Sequence, residues 1–88
     1  MNDTERLERV KTLMPISGSY HDATISGYIA DVMDFMRDSG VNETVVQSET
    51  AVGAIARGVN DLWNNGAGSV EFSPYFMQRV TQLAYKEG

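Results

Sequence analysis

Apolar residues recur along this chain with the spacing of helices in nearly every segment. Leu7, Val10 and Met14 share one side of a first segment, predicted over residues 3 to 14 and ended by Pro15, which cannot continue a helix. Ile25, Ile29, Val32 and Met36 fall in a narrow arc of a second, with Tyr28 and Phe35 at its edge. Asp22 reads as the cap of that helix, and Gly40-Val41 reads as its left-handed stop with an apolar residue behind it. Val45, Val52, Ile55, Ala56, Val59, Leu62 and Trp63 form the stripe of a third helix, starting between residues 42 and 48 and reaching about residue 64. Such a helix would be the longest of the chain and the spine of the fold. Ser73-Pro74, a capping residue followed by the residue favoured in the first helical turn, opens a fourth helix that carries Phe76, Val80 and Leu83.

Strand evidence is thin. Only Ser69-Val70-Glu71-Phe72 alternates, and four residues cannot make a sheet alone. The pattern therefore predicts an all-α fold: a four-helix, orthogonal or irregular bundle with one long central helix and a glycine-rich crossover before the last helix. At 88 residues the chain has material for one core, so residues 1–88 are read as one domain.

The outward faces carry the next information. On the second helix Asp31, Asp34 and Asp38 share a face with Gly27, opposite the apolar stripe. On the third, Thr50, Ala51, Ala54 and Gly58 make a row of small residues with Arg57 and Asp61 among them. Gly53 and Gly58 would each cost roughly 1 kcal/mol relative to Ala inside a helix, which close approach of another helix would offset.

Composition narrows the chemistry. A formal charge of −5 and seven scattered basic residues oppose sequence-specific DNA binding, whose affinity rests on cations that neutralise phosphates. The chain has no cysteine, so a thiolate metal site is excluded and no metal or other cofactor is expected. No apolar run approaches the roughly 20 residues of a membrane span, and the polar start Met-Asn-Asp-Thr-Glu lacks the features of a secretory signal. The glycine-rich stretch 66–71 fails as a phosphate loop: it lacks the Gly-Lys-Ser/Thr ending, follows a helix, and places Glu71 where phosphate would lie. His21 and Asp22 are neighbours in a turn without a nucleophile, so no catalytic residue and no enzyme activity are expected. Three aspartates at helical spacing can in principle ligate a cation, but such a run is more often a solvated face.

Taken together, four segments resemble the small all-helical head-tail connector, or adaptor, proteins of long-tailed bacteriophages and prophages. They are ERLERVKTLMPI, HDATISGYIADVMDFMRDSGV, AVGAIARGVNDLWNNG and SVEFSPYFMQRVTQL. The resemblance covers almost the whole chain and rests on helix order, lengths and the terminal Ser-Pro-x-Phe-x-x-Arg-Val-x-x-Leu pattern.

It implies a structural protein made in the host bacterial cytoplasm and located in the virion at the head-tail junction. There it would form a homo-oligomeric ring, typically a dodecamer, beneath the portal protein and above a head-closure or tail component, with DNA passing through. It places Val70, Glu71, Phe72 and Tyr75, with Arg57 and Gly58 of the small-residue face, at a subunit or portal interface. Asp31, Asp34 and Asp38 would face the channel or a neighbour's arginine, such as Arg37 or Arg57. Residues 66–72 are expected to be loosely held in the free subunit and ordered in the ring. The chain ends soon after the last helix, without the longer extension by which some relatives engage the portal. The alternative is a helix-turn-helix prophage regulator, which needs a basic recognition helix after a tight turn, where these crossovers are longer.

Overall fold

A computed structural model describes residues 1–65 and 72–86. These are helical with no strand among them: α1 (Asp3–Leu13), α2 (Asp22–Asp38), the one-turn α3 (Glu43–Val46), a 3₁₀ turn (Glu49–Ala51), α4 (Val52–Asn65) and α5 (Pro74–Ala84). The crossover 66–71 expected before the last helix lies outside the described residues.

Three helices begin where a side chain satisfies a free backbone donor. Asn2 accepts the Glu5 N–H at 2.8 Å to start α1, Asn42 accepts that of Thr44 at 2.9 Å to start α3, and Ser73 accepts that of Phe76 at 3.2 Å to start α5. The end of α2 is a Schellman motif, as the sequence predicts. Gly40 takes φ +94°, its N–H donates to Arg37 and the Val41 N–H to Met36, both at 3.0 Å. Val41 then turns into the core.

Two expectations need correction. His21, not Asp22, occupies the cap position of α2, and its side chain makes no capping bond. Asp22 is drawn elsewhere: its carboxylate lies 2.8 Å from the buried ammonium of Lys11. A cation so covered needs a counter-charge more than the helix needs a cap, and Asp22 supplies it. The Asp22 contact holds the Lys11 ammonium above its ordinary pKa, against the opposing effect of burial.

The expected long third helix is also broken, so the bundle is not built around one continuous central rod. Ser48 is extended (φ −85°, ψ 163°), and its hydroxyl donates to the Val45 carbonyl at 2.7 Å, closing α3 before α4 begins. This hydroxyl offers the backbone an alternative to the helical ladder. The longest helix is instead α2, with 17 residues against 14 in α4.

The core is one cluster. α4 is its hub, packing against α1, α2 and α5. Val10, Ile25, Val32, Met36, Ile55, Val59, Phe76 and Leu83 are fully or almost fully buried in it. α2 and α5 approach α4 at Gly58, where a Cβ would lie 2.7 Å from the Phe76 ring and 2.8 Å from Val32 Cγ1. The close approach expected to offset a helical glycine is therefore present at Gly58, made within the subunit. At Gly53 a Cβ would meet nothing within 4 Å.

Candidate functional site

With Gly58, Ala51 and Ala54 buried, the outward face of α4 is a different row: Gly53, Arg57 and Asn60. Their spacing of three and four residues sets them along one side of the helix. The end of α1 forms one wall beside this row through Leu13, Met14 and Pro15. The start of α5 forms the other, fixed to α4 by the Ser73 N–H, which donates to Asp61 Oδ2 at 2.9 Å. Between them runs a groove of about 480 Å³ with Gly53, Ala56 and Arg57 in its lining. A second hollow of about 340 Å³ shares Leu13 and Gly53 with it and is bounded by the Arg9–Glu49 ion pair at 3.0 Å.

The groove and its rim combine exposed apolar side chains with two charged groups, Arg57 and Asp61. Leu13 is 57% exposed and Tyr75 60%. The Arg57 guanidinium carbon lies 4.0 Å from the centroid of the Tyr75 ring. Such a cation–π contact at an exposed site contributes about 0.5 to 1 kcal/mol. Among the described residues no carboxylate pairs with Arg57.

The residues expected at an interface therefore divide. Arg57 and Tyr75 come together on this groove. Gly58 does not reach it, because it is buried beneath Phe76 and Val32. Phe72 is half-buried and packs inward, its ring centroid 4.8 Å from that of Phe35 and 4.6 Å from that of Phe76. It anchors the chain entering α5. Val70 and Glu71 lie outside the described residues, and so does the expectation that 66–72 are loosely held, except at Phe72.

The acidic face of α2 divides as well. Asp31 and Asp38 are exposed and make no ion pair among the described residues. Asp34 instead holds its own chain's Arg37 at 2.8 Å, and Arg37 also grips Glu43 through two nitrogens, so this arginine is already engaged within the subunit. Arg37 first, then Gln47, pulls the Glu43 carboxyl down to about 2 from an ordinary 4.5. The network continues from Glu43 through Gln47 to Arg6 and Asp3, joining α2, α3 and α1 around a hollow of about 370 Å³. Arg6 is 2% exposed, a buried cation that the sequence reading missed. The available signal was its place four residues before Val10, on the flank of the apolar stripe.

Neither region presents a nucleophile beside a base. His21 is surface-exposed and meets Tyr20 and Trp63 edge-on, with ring centroids 4.7 and 4.8 Å away. Among the described residues no group of three or more acids or histidines converges to hold a metal ion, and no helix is long and apolar enough to cross a membrane. No known protein family, curated protein or solved structure matches the chain.

Proposed function

We propose that the protein is a structural assembly subunit: a head-tail connector that forms a homo-oligomeric ring beneath a phage portal, through which DNA passes. The order and capping of the helices support this reading, as does the chain-wide resemblance that carries it. The observation that bears most directly on it is the groove of α4. Its exposed Leu13 and Tyr75 and its Arg57, which pairs with no described carboxylate, are what a protein partner covers, since aromatic and arginine side chains are enriched at interaction surfaces.

A structural role also accounts for the acidic surplus. A channel built from a chain of net charge −5 offers few phosphate-neutralising cations, so DNA passes without adhering. Electron microscopy of the concentrated protein, alone and with the portal, tests the reading. Closed rings with an axial opening are expected. A protein that forms no ring under either condition, and that shifts a DNA duplex in a gel at low salt, would be a regulator instead.

A further inference from the structure

We infer that the groove of α4 receives the outer face of α2 from a second copy of this chain. The inference rests on the assembly reading above and names the two surfaces that meet. Three observations carry it.

The first concerns direction. Val32 of α2 packs on Gly58, on the other side of α4 from the Gly53–Arg57–Asn60 row. α2 gives its Ile25–Met36 stripe to the core and turns Gly27, Asp31 and Asp38 outward. The groove and the acidic face thus point away from each other. Two surfaces so placed cannot meet within one subunit or in a closed symmetric pair of one patch with itself, so they join copies head to tail.

The second is charge. The groove holds Arg57, which pairs with no described carboxylate, beside Asp61, whose Oδ2 accepts the Ser73 N–H; α2 exposes two carboxylates, Asp31 and Asp38, that pair with no described cation. Seated in the groove, these carboxylates meet an arginine, whereas two α2 faces set against each other would repel.

Shape is the third. Gly53 leaves open space at the groove floor, and Gly27 leaves open space on the outer side of α2. With Ala23 and Ala30 beside Gly27, α2 offers a smooth ridge that can lie close against another helix, with Leu13 and Tyr75 closing over its edges. An ordinary interface takes about 800 Å² from each partner, and the subunit exposes 5246 Å², so both faces fit on it without overlap.

Absence of cysteine makes the test free of background. Asn60→Cys places a thiol in the groove and Gly27→Cys places one on the α2 ridge, where a Cβ meets nothing within 4 Å. Mixing the two single variants under mild oxidation is expected to yield a disulfide-linked pair that neither variant forms by itself. Adding Arg57→Glu to the first variant should abolish the link, and Asp31→Arg with Asp38→Arg on the second should restore it. Homodimers from either variant alone, matching the mixture in yield, would overturn the inference. So would sedimentation showing oligomers without any cross-link, an outcome that leaves the ring reading standing and assigns the contact to other faces. A chain that stays monomeric at millimolar concentration, without cross-link, would overturn the inference, and the ring reading would then stand or fall on assembly with the portal.

Discussion

The two sides of α4 carry glycines that do opposite things. Gly58 faces inward, where Val32 and Phe76 fill the space a Cβ would take. Gly53 faces outward, where nothing fills it. The same residue type in one helix thus marks a contact already made within the subunit and a contact still available. The difference lies in what surrounds each glycine, which its identity does not reveal. A helical glycine without an internal neighbour loses stability and gains nothing inside its own chain.

The inward side should be the fragile one. Truncating its largest fully buried aromatic, Phe76→Ala, is expected to cost about 3 to 5 kcal/mol in chemical denaturation, because Val32, Gly58 and the Phe35–Phe72 rings lose their common partner. Gly58→Ala should cost about 1 to 3 kcal/mol by the same measurement, since a Cβ there overlaps Val32 and Phe76 and the two helices must separate. A neutral or stabilising Gly58→Ala would remove the basis of the comparison. Gly53→Ala should move the other way and stabilise the isolated subunit by up to about 1 kcal/mol, with a higher melting temperature.

Acid provides a gentler test, at the network around Arg37. The folded Glu43 pKa, about 2, lies below its ordinary 4.5, so the stability this carboxylate contributes is present above pH 4.5 and disappears as pH falls toward 2. Glu43→Gln should therefore be less stable than the natural chain at neutral pH, and the difference should close between pH 4.5 and 2. A gap independent of pH would mean that the exposed Arg37 pair contributes nothing through its charge.

Much of this was legible in the sequence where a local rule and a tertiary demand agree. The Ile25–Met36 stripe, the Gly40-Val41 stop and the Ser73-Pro74 start are such places, and the structure realises all three. The misread places are those where two demands compete. Asp22 satisfies the rule for a cap but is held by Lys11, a burial that no periodicity reveals. The break at Ser48 is hidden because α3 and α4 both turn apolar residues inward, so Val45 and Val52 keep helical spacing across it. Two signals did exist: the polar run Gln47 to Thr50, and the adjacent Val45 and Val46, both buried, which widen a one-sided stripe. Of the candidate interface, Arg57 and Tyr75 were legible as residues but not as a pair, because their contact depends on how α5 crosses α4. Leu13 gave no functional signal, and Gly53 only that of a helical glycine wanting a close neighbour, which did not tell it from Gly58 until the surroundings of each were known.

The account stands most directly on what happens when the open space at Gly53 is filled. Gly53→Gln supplies a good helix former at the groove, where a Cβ meets nothing within 4 Å. Sedimentation equilibrium over a range of concentrations, with a thermal melt on the same samples, separates the two sides of α4 in one experiment. The expected result is a variant that melts at or above the temperature of the natural chain but has lost its self-association. Association equal to that of the natural chain, at equal stability, would contradict the assignment of this face to assembly.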